Sequence, residues 1–346
     1  MTDALAGAIK ALAAGESLSA GATRDAFGVI MNGDATPAQI AALLVALRVK
    51  GETAAEIAGA AEALRRAMIR VEVPDPDTLV DTCGTGGGTL STFNISTAAA
   101  FVAAGAGVRV AKHGNRSFTS RCGSADVLEA LGVAISPPPE QLPAILARAG
   151  VMFMFAPAFH PAMRHVGPVR RELAIHTVMN VVGPLANPAG ARRQVVGVSD
   201  PGRLRLLGES LARLGAIHAL VVHGSPGLDE LSPLGPSTVV EVRNGELTEW
   251  TLDPAEYGLS GGSPDDLAGG DPAENARTIE RLLAGEAPPA ARNAVVLNAA
   301  AAVYVGGAAR DLAEAVGVAT RALESGAPLH VLERLRSATS MAFPTA

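Results

Sequence analysis

The chain has 346 residues, of which 48% are hydrophobic and 18% charged, enough apolar material for a sizeable core and too little polarity for a disordered segment. A net charge of −6 excludes the broad basic face of a nucleic-acid binder, so any anionic ligand must be met locally, by a few cations, backbone N–H groups or a metal ion. Two cysteines, Cys83 and Cys122, read as reduced thiols of a cytoplasmic protein, and the longest uncharged run, from Thr82 to Val108, is too polar to span a bilayer. The first residues carry Asp3 and Glu16 in an amphipathic pattern, which is no signal peptide.

The first seventy residues read as helices only. Leu5, Ile9 and Leu12 recur at helical spacing before Gly15. Thr36-Pro37 is an N-cap with a first-turn proline, and Thr53 and Glu56 have capping-box spacing. Pro74-Asp75-Pro76-Asp77 reads as a linker. The pattern predicts a small helical domain over 1–72 and a large α/β domain over 73–346, with helices around 165–190 packing back on the small one.

Beyond the linker, strands are expected at Leu79–Cys83, Val108–Ala111, Val151–Phe155, Val195–Val198 and Ala219–His223. Helices are expected between them at Ile95–Ala104, Ala125–Leu131, Pro139–Ala149 and Gly202–Leu214. That alternation predicts a mainly parallel sheet flanked by helices. Val239–Val242 and Leu247–Leu252 around Asn244-Gly245 add a hairpin, and the tail from Asn275 gives three or more helices.

Three stretches could carry chemistry. Gly84-Thr85-Gly86-Gly87-Gly88, then Thr92 and Asn94-Ile95-Ser96-Thr97, lie between a strand and a helix. Such a glycine turn presents several N–H groups to one anion at a helix start, a phosphate or pyrophosphate cradle. It is neither a dinucleotide fingerprint nor a P-loop, because Thr89 stands where a third glycine is needed and no lysine begins the helix. Lys112 to Ser120 follows the next strand: Lys112 and Arg116 are cations, His113 can become one, and Asn115, Ser117, Thr119 and Ser120 are donors beside Gly114 and Phe118. Ser124 then reads as an N-cap. Asp229-Glu230, after the fifth strand, suits a hard cation, although a solvated acidic loop is as good a reading. Arg170 could clamp a carboxylate or belong to a surface helix with Arg–Glu pairs. His160, His165 and His176 show no metal-ligand spacing.

Several strings together resemble the anthranilate phosphoribosyltransferase family. They are Gly84-Thr85-Gly86-Gly87, Asn94 to Thr97, Lys112 to Arg116, Gly123-Ser124-Ala125-Asp126, His160 to Met163, Asn180 to Pro188 and Gly227 to Leu231, in order over nearly the whole chain. The resemblance implies a nucleoside phosphorylase/phosphoribosyltransferase-like fold and a homodimer. It implies transfer of phosphoribose from 5-phosphoribosyl 1-pyrophosphate (PRPP) to anthranilate, toward tryptophan, with Mg²⁺. Carried over by position, Gly84, Gly87, Gly88, Thr92, Asn94, Ile95, Ser96, Thr97, Lys112, His113, Gly114, Asn115, Arg116, Ser117, Phe118, Thr119, Ser120 and Ser124 would meet PRPP. Ser96, Asp229 and Glu230 would hold Mg²⁺, and Gly84, Asn115 and Arg170 would meet anthranilate. Arg170, Asn115 and His113 are the candidates for catalysis by positioning. Two positions depart from the pattern: Gly88 replaces the family's usual Asp, and His176 stands where Arg is frequent. A pyrimidine nucleoside phosphorylase or a non-catalytic nucleotide sensor are the competing readings.

Overall fold

In a computed structural model that describes residues 2–88, 90–117 and 121–341, the chain opens with four helices: α1 (Thr2–Ala13), α2 (Ala20–Met31), α3 (Pro37–Lys50) and α4 (Ala54–Ala67). The two expected starts are built as capping boxes. Thr36 Oγ1 accepts from Gln39 N–H at 3.3 Å, and Thr53 Oγ1 from Glu56 N–H at 3.3 Å. Helix α2, which no strong periodicity announces, starts at Ser19, whose hydroxyl accepts from Ala22 N–H.

The larger part follows as β1 (Leu79–Gly84), α5 (Ile95–Gly105), β2 (Arg109–Gly114), α6 (Ser124–Ala130), α7 (Leu142–Ala149), β3 (Val151–Phe155), α8 (Ala156–Phe159), α9 (Met163–Leu173), β4 (Arg193–Gly197), α10 (Leu204–Arg213) and β5 (His218–Gly224). A hairpin comes next, β6 (Ser237–Arg243) and β7 (Glu246–Leu252), turning at Asn244 and Gly245, both with positive φ. Four helices finish the chain: α11 (Pro272–Leu283), α12 (Pro289–Val305), α13 (Leu312–Glu324) and α14 (Ala327–Met341). The sheet order is β3-β2-β1-β4-β5-β6-β7, parallel from β3 through β5 and antiparallel beyond. Every βα crossover therefore delivers its loop to the same carboxyl edge.

Alternate strand residues feed two cores. Val195, Leu220, Val222 and Val239 face the layer of α5, α12 and α13. Val196, Val198, Val221 and Val240 face α10 and the helical bundle. Ala162, Val166, Val169, Val178 and Val182 join that second core, so α9 and the turn after it lie against α2 and α3. Arg65 of α4 donates to Leu185 O at 2.7 Å across the seam.

Two expectations change near the carboxyl edge. Strand β2 runs on to Gly114 and takes in Lys112 and His113, expected in a loop; both are buried. The cap of α6 is Gly123, not Ser124, whose hydroxyl instead donates to Asn115 O at 3.2 Å. The side chain that secures the cap is Asp126, accepting from Gly123 N–H at 2.9 Å and Ser117 N–H at 3.2 Å.

Candidate active site

The glycine turn leaves β1 at the carboxyl edge. Gly86 and Gly87 have φ of 66° and 79°, a region side chains avoid, and the turn is pinned to β4 by Thr85 N–H to Gly197 O at 2.9 Å and Ser199 Oγ to Gly86 O at 3.0 Å. It leads to α5, whose N-cap residue is Asn94. The Asn94 amide does not cap; it donates to Cys122 O at 3.1 Å and accepts from Asn275 Nδ2 at 3.0 Å. The first turn of α5 meets the Asp229-Glu230 loop through Ser96 N–H, which donates to Glu230 Oε1 at 3.1 Å at the positive end of the helix dipole. Thr97 Oγ1 is buried there without a hydrogen-bond partner. Thr92 bridges Ala268, which moors the loop before the helix.

The Asp229-Glu230 loop is pressed onto β4. A Cβ at Gly197 would lie 1.7 Å from Asp229 O, so only glycine permits the approach. Asn298 of α12 fixes the loop from behind, accepting from Leu231 N–H at 3.0 Å and donating to Leu231 O at 2.9 Å. The Asp229 carboxylate lies against Gly84 and Gly88: Cβ atoms there would stand 3.1 and 3.5 Å from its oxygens. The structure thus brings together Gly84, Gly88 and Ser96 from the β1–α5 connection with Asp229 and Glu230 from the β5–β6 loop.

Lys112 is the cation of this cluster. It is fully enclosed and donates to Thr82 O, to Thr82 Oγ1 at 3.3 Å and to Ser96 Oγ at 3.3 Å. Asp81 and Glu230 face it, and Asp229 stands beside Glu230, so two carboxylates meet one ammonium and a third adjoins them. Burial, then repulsion from Asp229, pushes Glu230 up to about 8, and burial raises Asp229 as well. Burial pulls Lys112 down, and its acidic neighbours pull it back up. Hard oxygen donors with surplus negative charge beside a hydroxyl suit Mg²⁺, which takes one or two carboxylates and completes its shell with phosphate and water. Among the described residues no cluster of three His, Cys, Asp or Glu side chains has metal-ligand geometry, so the protein alone does not build a full cage.

Across β2 the chemistry changes. His113, expected as a possible cation, is held neutral: burial, then His160, push it down to about 3. Its Nε2 meets His160 Nε2 at 3.2 Å, and burial lowers His160 to about 4. Neither histidine brings a positive charge to the site near neutral pH. Arg116 is committed to Asp126 at 2.8 Å and Glu129 at 2.5 Å, and lies over Phe155 at 5.6 Å. Asn115 Oδ1 accepts from Arg116 N–H at 2.7 Å. Arg170 of α9 is half-buried, and among the described residues its guanidinium makes no hydrogen bond or ion pair; the alternative of surface Arg–Glu pairing is not what forms. His176 packs beside Gly87, 3.4 Å from where a Cβ would sit. The expected contacts Phe118, Thr119 and Ser120 lie outside the described residues.

Residues 76–329 match the glycosyl transferase family a/b domain and residues 6–68 its helical bundle domain. An anthranilate phosphoribosyltransferase of Rubrobacter xylanophilus is 54% identical over 94% of this chain and 95% of that one. This chain belongs to the anthranilate phosphoribosyltransferase family. The family's enzyme from Thermus thermophilus superposes with a TM-score of 0.91 at 46% identity, over 96% of this chain and 99% of that one. The family's enzyme from Saccharomyces cerevisiae, solved in complex with PRPP and Mg, superposes at 0.88 and 30% identity, over 97% and 98%. In its complex with 4-fluoroanthranilate it superposes at 0.86 and 29% identity, over the same shares. The structure also gives partners to side chains that the sequence left without a role: Asp81, His160, Asn187, Asn275 and Asn298 each meet a residue distant in sequence.

Proposed function

We propose that the carboxyl-edge cleft transfers the phosphoribosyl group of PRPP to the amine of anthranilate, giving N-(5-phosphoribosyl)anthranilate and pyrophosphate on the route to tryptophan. The observation that supports this reading is the pair of buried carboxylates Asp229 and Glu230, which close on Ser96 and on the glycine turn, while Arg170 of α9 is left without a partner among the described residues.

Breaking the bond between C1 of the ribose and the pyrophosphate oxygen sends the electron pair to the leaving group and leaves an oxocarbenium-like sugar. The backbone N–H groups of Gly84 to Gly88 and the first turn of α5 are aimed where that negative charge grows. Ser96, Asp229 and Glu230 would hold Mg²⁺, which supplies charge neutralisation of the diphosphate. Lys112, tied to Thr82 and Ser96, holds the cradle's hydroxyl in place. Asn94, Asn115, Ser117 and Ser124 frame the ribose and its 5-phosphate. The amine of anthranilate is uncharged near pH 7 and needs no strong base before attack, which agrees with a site whose two histidines are held neutral. Arg170 would grip the anthranilate carboxylate so that the amine faces C1, with Asn115 and Gly84 alongside.

The division into a helical unit over 1–72 and a catalytic unit over 73–346 goes with pairing of two copies through the helical units. Support comes from α3, which buries Ile40, Leu43, Leu44 and Leu47 yet turns Ala38, Ala42, Val45 and Val49 outward, Val49 being 81% exposed. Cys83 and Cys122 form no disulfide, which fits a cytoplasmic setting; among the described residues no helix is long and apolar enough to cross a membrane.

The test is turnover. Purified protein with Mg²⁺, PRPP and anthranilate should form phosphoribosylanthranilate and pyrophosphate in equal amounts. Release of a base from a pyrimidine nucleoside by phosphate, without that product, contradicts the reading.

A further inference from the structure

The β1–β2 ladder stops early. β1 pairs with β4 from Val80 through Gly84, and β2 pairs with β3 from Val110 through Gly114, but between β1 and β2 only Leu79↔Arg109 and Val80↔Val110 are matched. Beyond that point the two central strands part, and backbone groups that a parallel ladder would satisfy are buried and unpaired by it. Three side chains fill the gap. Asp81 Oδ1 accepts from His113 N–H at 3.1 Å, Asn187 Nδ2 donates to Ala111 O at 2.8 Å, and Lys112 Nζ donates to Thr82 O. Asp81 and Asn187 are joined by Nδ2 to Oδ2 at 2.8 Å, and Asn187 Oδ1 accepts from Ala189 N–H at 2.9 Å. Asp81 is fully buried and Asn187 is 2% exposed. Polar groups are expensive to place in a sheet interior, and each of these is matched donor to acceptor.

The wedge sits at a functional divide. Three residues past Asp81, β1 ends in the glycine turn; two past His113, β2 gives way to Asn115. The same Asn187 belongs to the segment that runs back to α9 and Arg170.

We propose that Asp81 and Asn187 are positioning residues: as a spacer they hold β1 and β2 apart and so fix the distance between the pyrophosphate cradle and the acceptor side of the cleft. The proposal rests on the function proposed above. It makes a distinctive claim about kinetics. PRPP reaches across the gap, from Gly84 to Gly88 on one side to Asn115 and Ser117 on the other, so its KM rises when the spacer fails; Arg170 still holds anthranilate, whose KM changes little, and both substrates bind. What is lost is their mutual placement, and a misplacement of about 1 Å costs on the order of 100-fold in rate.

The experiment measures steady-state kinetics of wild type, Asp81→Asn and Asn187→Ala with PRPP, Mg²⁺ and anthranilate. Rates are taken per folded molecule, with folded fraction from circular dichroism well below the melting midpoint. Asp81→Asn sets two amides donor to donor across the gap, and the double variant Asp81→Asn with Asn187→Ala tests whether the two residues act through one spacer. The expected result is a kcat lowered by roughly 100-fold in both single variants, KM for anthranilate within about threefold of wild type, and a double variant no more than about threefold below the worse single. A kcat within about threefold of wild type in both single variants overturns the proposal, as does a raised KM for anthranilate, a loss that vanishes on correcting for folded fraction, or losses that multiply in the double variant. A wild type that makes no product fails the proposed function instead, so the two failures stay separate.

Discussion

Two buried lysine–carboxylate groups in this molecule are built in opposite ways. In the helical bundle, Glu56 is fully buried and accepts from Leu18 N–H at 2.9 Å, Thr53 N–H at 2.8 Å, Thr53 Oγ1 at 3.0 Å and Lys50 Nζ at 2.9 Å. One acid meets one base and three further donors, and nothing is left for a ligand. At the carboxyl edge of the sheet Lys112 faces Asp81 and Glu230, with Asp229 beside Glu230, and burial pushes all three acids up. The first group stabilises the fold; the second is short of positive charge until something brings it. Buried charge by itself says little about function, but its imbalance does.

The contrast is broken or sharpened most strongly by neutralising one acid in each group. Glu230→Gln should lower kcat/KM by about 10²- to 10³-fold, since a held divalent ion and its donors are worth several kcal/mol to the leaving group. The same change should raise the melting midpoint without Mg²⁺ at pH 8 and above. Glu230 is pushed up to about 8, so its contribution to stability is present below the ordinary carboxylate range and lost as pH rises through 8; glutamine removes that loss. Glu56→Ala should do the reverse, destabilising by about 3 to 5 kcal/mol with kcat per folded molecule unchanged. If both variants behave alike in thermal melts and assays, the contrast fails.

His160 gives the next effect. Its ring is lowered to about 4 in the fold against an ordinary 6.5. A base lowered in this way contributes stability fully present above 6.5 and lost as pH falls toward 4. Relative to His160→Gln, wild type should lose about 3 kcal/mol over that window in urea titrations. A constant difference across the window would show that the ring is solvated.

Arg170→Ala should raise KM for anthranilate by roughly 10- to 100-fold, the worth of one or two charge-assisted hydrogen bonds, and leave KM for PRPP within about threefold. Equal shifts in both would remove Arg170 from the acceptor side. Smallest is Gly88→Asp. A Cβ there makes ordinary contacts, 3.5 Å from Asp229 Oδ1 and from Gly227 O, so the side chain fits, but it adds a further carboxylate to an acidic cluster. With saturating Mg²⁺ the variant should lower KM for PRPP by about two- to fivefold on an enzyme already active. Activity appearing only in the variant would instead make the native chain a sensor.

The layered fold was legible because its strands are short apolar runs between glycine-marked turns, and β3 falls where Val151–Phe155 predicts it. The cradle was legible from its glycines. What escaped is polar and long-range. Lys112 and His113 read as loop residues by polarity, yet they finish a strand, because their partners Thr82, Ser96 and His160 come from elsewhere in the chain. Asn298 reads as an ordinary helix residue until the loop it anchors is seen. Asp81 and Asn187 are 106 positions apart, and no local pattern announces their hydrogen bond.

The most direct test of the central claim is diffraction from crystals soaked with PRPP and Mn²⁺, using the anomalous signal to place the ion. The account predicts one peak bridging the substrate's diphosphate to Ser96, Asp229 and Glu230, with the diphosphate against the backbone of Gly84 to Gly88. A diphosphate seated away from that turn, or an ion that ignores both acids, contradicts it.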